Sequence, residues 1–300
     1  MTQLESGKVL VVGDIMMDVL VTMSSEMIRG SDVPSAVETG FGGTASNVAS
    51  WLGFQKHPVR LLGVVGDDLW GREIIQNQQE WGVETHVWCN PDLPTGAVVV
   101  LNHLDGERSM FPDTRANQTL HRGLFTDEIW EEVSILYISG YTLLNSSTRE
   151  VAKDIMRVAK SRDIMVVLDP ASVGPLQQIE GSELSSWLEL CDVILPNELE
   201  LLALTSEGST AERLTELSQR VRRVVAKFGA QGCVWVEGDS RVEFSALPSQ
   251  VVDTVGAGDA FAAGLLAALA RQDDVETCLS NATKIASLAV SKRGAQPEKS

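Results

Sequence analysis

Val9-Leu10-Val11-Val12-Gly13-Asp14 is the stretch on which the fold turns. Its apolar run, rich in β-branched residues, does not alternate with polar ones, so it reads as a central strand buried on both faces, the first of a parallel sheet. Outward from it, Gly42-Gly43 leads into Thr44–Leu52, where Ala45, Val48, Ala49 and Leu52 recur with a helical period and Thr44 is the expected N-cap. Strand and helix signals then alternate: strand Val59–Val65, helix Leu69–Trp81, strand Ile135–Ile138, helix Thr148–Ser161, and strands Ile164–Leu168 and Val193–Leu195. That order predicts βαβ units, and hence a doubly wound, mostly parallel α/β sheet with helices on both faces.

Two stretches interrupt the alternation. Val19–Met23 with Ala36–Phe41, and Ala97–Leu104 with Arg108–Phe111, read as short strands of a small separate β-sheet, with Asp105-Gly106 as a hairpin turn. Further strands are expected at Val224–Lys227, Cys233–Val236 and Val242–Phe244, followed by helices Ala257–Ala270 and Val275–Ser291. No repeat or linker divides the chain, so residues 1–300 read as one domain with the small sheet inserted at about 18–41 and 93–114.

Composition narrows the function. The 300 residues are 44% hydrophobic, enough for a sizeable core, and carry 24 Lys plus Arg against 41 Asp plus Glu, a net charge of −17. Such an acidic chain is a poor partner for nucleic acid or an anionic membrane. Its apolar runs are too short to span a bilayer, and the N-terminus lacks the basic region of a signal peptide, so a cytoplasmic location is expected. Cys89, Cys191, Cys233 and Cys278 form no CxxC pair, and the four histidines form no metal-binding cluster.

The chemistry is therefore sought in Asp253-Thr254-Val255-Gly256-Ala257-Gly258-Asp259-Ala260-Phe261, where small residues run into an Ala/Leu-rich helix. Gly256, Ala257 and Gly258 let backbone N–H groups converge on an anion at the positive end of a helix dipole. Asp259 in the same turn cannot attract that anion. Its presence points to a different role, that of taking a proton from a nucleophile that attacks a phosphoryl group held by those amides. The spacing alone equally fits a capped helix start with an acid complementing the dipole.

The Asp-Thr-Val-Gly-Ala-Gly-Asp-Ala-Phe run closely resembles the C-terminal signature of the ribokinase-like (PfkB) carbohydrate kinases. Gly42-Gly43-Thr44-Ala45-Ser46-Asn47 resembles their second motif, and the similarity extends in the same order over essentially the whole chain. The resemblance implies ATP-dependent phosphorylation of a sugar hydroxyl, with Asp259 as base and Gly256–Gly258 as anion hole. It places the sugar hydroxyls at Asp18, Gly42, Gly43 and Asn47. It implies ATP at Asn197, Glu200, Lys227, Gly229 and Gly232, with Glu200 reaching Mg²⁺ through water. Asp253, Val255, Ala289, Lys292 and Gly294 match positions that hold K⁺ in relatives, and the small sheet matches a lid through which many relatives dimerise.

The sequence also departs from the pattern. Ribokinases carry a ribose-binding acid where this chain reads Tyr137-Ile138-Ser139-Gly140-Tyr141, and Arg115-Ala116-Asn117 has a cation where relatives have glycine. Arg108 and Arg115 therefore become candidates for reading a carboxylate or phosphate on the substrate. The sugar is left open, as are two alternatives: a nucleoside kinase of the same family, or a catalytically silent sugar-binding or scaffold relative.

Overall fold

The computed structural model describes residues 7–104 and 108–298, so the Asp105-Gly106 turn lies outside the described residues, as does the side chain of Arg108. Its body is a nine-stranded sheet of β1 (Lys8–Val12), β4 (Val59–Gly66), β5 (Glu84–Asn90), β8 (Val133–Ser139), β9 (Met165–Asp169), β10 (Val193–Ile194), β11 (Arg223–Lys227), β12 (Cys233–Glu237) and β13 (Ser240–Phe244). The spatial order is β13-β12-β11-β10-β9-β8-β1-β4-β5, parallel except that β12 runs antiparallel to both of its neighbours.

β1 is central, as its unbroken apolar run demands, and its residues divide between two cores. Val9 and Val11 pack on the side of helices Thr44–Phe54, Ala257–Ala270 and Val275–Val290. Leu10 and Val12 pack on the side of helices Arg149–Ser161, Gly181–Leu188 and Thr210–Ser218. β5 was not foreseen: Glu-Thr-His-Val-Trp-Cys-Asn is largely polar because it is an edge strand, half-buried over most of its length. The helix at Thr44 is capped one residue earlier than expected. Gly43 takes the cap with φ +87°, and the Thr44 amide donates to Asp14 Oδ2 at 2.9 Å instead of Thr44 capping the helix itself.

The second sheet has four strands, β3 (Ser35–Gly42), β2 (Met16–Met23), β6 (Gly96–Asn102) and β7 (Arg108–Asp113), in that order. Asp18 lies opposite Gly40 and Val98, while Val19 lies opposite Thr39 and Val99, so the two residues present opposite faces. Asn117 ties this sheet to the body. The Ile15 amide donates to Asn117 Oδ1 at 2.9 Å, and Asn117 Nδ2 donates to the Ile15 carbonyl at 3.0 Å, clamping the crossover from β1 to β2.

At the amino edge of the main sheet, Lys8, Arg60 and His86 converge on Glu84. Burial alone would raise the Glu84 pKa, but hydrogen bonds from these three groups overcome it and hold the carboxyl down at about 2. Its contribution to stability is therefore present above the ordinary value of 4.5 and is lost as pH falls toward 2. Glu84→Ala leaves the buried Arg60 guanidinium without its carboxylate and should cost about 2–3 kcal/mol, discounted from a fully buried pair because Glu84 is partly exposed. Urea denaturation at pH 7 measures it, and a loss below about 0.5 kcal/mol would contradict this account.

Candidate functional site

The carboxyl ends of the parallel strands gather the predicted residues on one side of the sheet, where open α/β folds bind ligands. Asp14 follows β1, Ser139 ends β8, Asp169 ends β9, Asn197 follows β10 and Lys227 ends β11. Lys227 Nζ pairs with Asp169 Oδ2 at 2.7 Å; the Asp169 side chain is buried and that of Lys227 is 14% exposed. Burial disfavours the ammonium, but Asp169, Glu200 and Asp259 together raise the Lys227 pKa. A Cβ added to Gly258 would lie 3.7 Å from Lys227 Nζ, so the ammonium stands beside the first turn of the helix Ala257–Ala270.

That turn begins at Gly256, whose φ of +73° suits glycine, and a Cβ there would come within 2.6 Å of Ala295 Cα. The first-turn amides of a helix have no intrahelical acceptor and are available to an anion. Asp259 in this turn is half-buried, and its loss of contact with water, with help from Asp169 and Asp14, pushes its pKa up to about 7. Asn47 Nδ2 donates to Asp259 Oδ2 at 2.8 Å, which works in the opposite sense. Asn47 is thus a buried side chain joined to the acid, not a surface residue.

Asp18 is 8% exposed, its Oδ1 has no hydrogen-bond partner among the described residues, and burial followed by repulsion from Asp14 pushes its pKa up to about 7. A Cβ on Gly42 would overlap the Asp18 carboxylate, and one on Gly43 would come within 2.5 Å of the Asp14 carbonyl. The two glycines are therefore required first by the approach of the 14–18 segment. Asp14 is the structural acid of the pair: it accepts from the Thr44 amide and from Ser139 Oγ at 2.8 Å.

Asn197 and Glu200 form a reciprocal capping box at the helix Glu198–Leu204. The Asn197 amide donates to Glu200 Oε2 at 2.8 Å, Asn197 Nδ2 donates to Oε1 at 2.7 Å, and the Glu200 amide donates back to Asn197 Oδ1 at 2.9 Å. Burial and Asp169 push Glu200 up to about 7. Gly229 and Gly232, both at positive φ, line a cavity of about 530 Å³ together with Lys227, Leu247, Val251 and Phe261. The segment 246–251 was missed by sequence reasoning. Its signal was apolar side chains in a stretch with no period, and Leu247 and Val251 are indeed left exposed.

Asp253 pins the predicted cation loop by accepting from the Val255 amide at 2.9 Å and the Gly294 amide at 3.0 Å. Ala289 is buried at the end of the last helix, and the Lys292 ammonium lies 5.1 Å from the Trp51 ring centroid. Arg115 takes φ +41° and pairs with Asp113. Two further polar groups were assigned no part from sequence: the Tyr137 hydroxyl, buried with no hydrogen-bond partner among the described residues, and Gln296, which touches Asn47.

A glycine-rich helix start, an adjacent half-buried acid and a lysine at the carboxyl edge of a doubly wound sheet form an arrangement that could bind and transfer a phosphoryl group. A model of the pfkB family carbohydrate kinases matches residues 6–300, and the chain belongs to that family: it is a phosphotransferase acting on carbohydrate hydroxyls. It is 30% identical over 295 residues to a ribokinase of Bacillus subtilis, covering 95% of this chain and 94% of that protein. The structure of Arabidopsis thaliana ribokinase complexed with ribose and ATP superposes with a TM-score of 0.84 at 25% identity, over 98% of this chain and 96% of that one. An adenosine kinase from Sinorhizobium meliloti shares the fold with a TM-score of 0.87 at 22% identity, over 97% and 96% of the two chains.

The raised acids make stability depend on pH. Asp18 and Asp259 bind a proton more tightly folded than unfolded, between the ordinary 3.8 and about 7, so their ionisation opposes folding as pH rises through that window. The ligand-free protein should melt at a higher temperature at pH 5.5 than at pH 8, by about 2–4 °C for each kcal/mol released. Asp259→Asn should raise the melting temperature at pH 8. Calorimetric melting of both proteins at the two pH values checks this, and an unaltered melting temperature at pH 8 would contradict it.

Proposed function

We propose that the protein transfers the γ-phosphoryl group of ATP to a hydroxyl, most simply a primary alcohol, of a sugar or sugar-derived small molecule. The observation that carries this reading is that Lys227, Ala257 and Gly258 line the apolar cavity while the next residue of the same turn, Asp259, accepts from Asn47. An adenine ring suits the cavity walls, and the phosphates would then reach the ammonium and the amides. Asp259, held near neutrality in its pKa, is poised to accept the hydroxyl proton. The orphaned Asp18 Oδ1 accepts from a substrate hydroxyl, and Asn47, Gly42 and Gly43 complete the sugar side.

Among the described residues no group of three or more His, Cys, Asp or Glu is arranged to hold a metal ion. That suits Mg²⁺ carried mainly by phosphates and water. Glu200, both of whose oxygens accept from Asn197, would contact it through water. Bound there, Mg²⁺ would neutralise charge on the transferring group. The Asp253-pinned loop, with carbonyls of Val255, Ala289, Lys292 and Gly294, suits K⁺ beside the anion turn. The four-stranded sheet acts as a lid within a single domain and excludes water from the transfer. No helix among the described residues is long and apolar enough to cross a membrane, and a small-molecule kinase fits the cytoplasm.

An ATP-consumption assay across sugars, sugar acids, sugar phosphates and nucleosides tests the reading, and silence on every sugar-derived acceptor would sink it. With an active acceptor, Asp259→Asn should lower kcat by about 10²- to 10⁴-fold. Asp18→Ala should instead act mainly on acceptor affinity, seen by calorimetric titration.

The lid's outward face carries Val19, Val99, Val37 and Phe111, the last two exposed. An apolar sheet face of this kind is covered in a homodimer that pairs lid with lid. Light scattering should give twice the 32.5 kDa of one chain, collapsing to one in Val99→Asp. A single-chain mass for the parent protein overturns the dimer.

A further inference from the structure

We propose that Gln296 is a positioning residue that sets the orientation of the Asn47 amide and, through it, the proton affinity of Asp259; this rests on the reading of Asp259 as the base. The observation is an ordered chain of side-chain amides. Asn77, on the helix Leu69–Glu80, donates from Nδ2 to Gln296 Oε1 at 2.8 Å. Gln296 Nε2 donates to Asn47 Oδ1 at 3.2 Å and to Ser46 Oγ at 3.0 Å. Asn47 Nδ2 then donates to Asp259 Oδ2 at 2.8 Å.

An amide side chain has one accepting end and one donating end, and the two exchange when it flips. Because Gln296 presents an N–H to Asn47, the Asn47 oxygen is drawn to Gln296 and its NH₂ is turned to the acid. The flipped Asn47 would set its oxygen against the Asp259 carboxylate and oppose ionisation. Gln296 is itself fixed, since Asn77 occupies its oxygen and Ser46 and Asn47 its nitrogen. It follows Ala295, which packs on the Gly256 turn and whose carbonyl accepts from Trp51 Nε1 at 2.9 Å. The loop after the last helix therefore touches both the Gly256 turn and Asn47, the hydrogen-bond partner of the base.

The remaining charged and titratable groups around Asp259 come from other elements and do not duplicate this contact. Asp14 after β1 and Asp169 at the end of β9 oppose its ionisation, and Lys227 at the end of β11 favours it. Tyr137 on β8 and Tyr141 beyond it also feel its charge. Asn47 gives the hydrogen bond that favours the carboxylate. Losing that bond, or reversing the amide, raises the proton affinity and moves the acid limb of activity to higher pH.

The test uses Gln296→Met, which keeps volume without a donor, and Gln296→Glu, which keeps shape and offers an acceptor to Asn47. Asp259 is titrated by ¹³C NMR in full-length protein labelled at aspartate Cγ, its signal assigned by its loss in Asp259→Asn. The midpoint should rise by about one pH unit, tenfold in proton affinity, in both variants. The acid limb of kcat/KM, with the panel acceptor that the parent turns over fastest, should move with it, while the KM for ATP stays within about twofold. An unmoved midpoint in folded variants overturns the proposal, and so does failure of both variants to fold, because the role is then structural. If Asp259→Asn retains phosphoryl transfer, it is the assignment of the base that fails, whatever the midpoint does.

Discussion

The Lys227 ammonium and the Asp169 carboxylate meet at 2.7 Å at the carboxyl edge of the sheet, where both are shielded from water, and the rest of the site is arranged around that pair. Glu200 and Asp259 also face the ammonium. Asp14 and Asp18 lie a short step away across the first strand's turn, and they repel each other. Loss of contact with water first, and repulsion between the carboxylates second, push the pKa values of Asp18, Glu200 and Asp259 up to about 7, and Lys227 offsets this only in part at Glu200 and Asp259. A centre in this condition is poorly stable by itself and well suited to exchange a proton with a hydroxyl near neutral pH.

Much of the fold was legible because the strongest signals were the least ambiguous physically. A run such as Val9-Leu10-Val11-Val12 has no polar residue to turn toward water and must lie inside a sheet covered on both faces, and residues of alternate parity do enter opposite cores. The edge strand Glu84–Asn90 escaped because edge strands need not be apolar, and Glu84, Lys8, Arg60 and His86 there satisfy charge, not packing. The cap at Gly43 instead of Thr44 depends on Asp14 reaching across from another element, which no local pattern encodes.

The site shows the same division. Gly256–Gly258 and Asp259 are contiguous, so their chemistry can be read from one segment. Asn47 comes next to Asp259 only through packing of the helix Thr44–Phe54 on the helix Ala257–Ala270, and from spacing alone it is as good a surface residue as a buried one. Lys227 shows this more sharply, since a lysine ending a strand is ordinarily solvated and only the approach of Asp169 makes it the site's internal cation. The cavity wall at 246–251 and the Gln296 contact arise from loops without periodicity, and for these the sequence offers composition but no geometry.

In the proposed function the phosphates of the nucleotide lie against Lys227 and the Gly256–Gly258 turn. Calorimetric titration of Mg-ATP into the double variant Lys227→Met, Asp169→Asn tests it most directly, because both members of the buried pair become neutral and neither is left as an uncompensated charge. The expected result is a folded protein whose affinity for Mg-ATP is at least about tenfold weaker than that of the parent, the effect of one lost charge-assisted phosphate contact. Affinity within about twofold of the parent would contradict it and place the phosphates elsewhere.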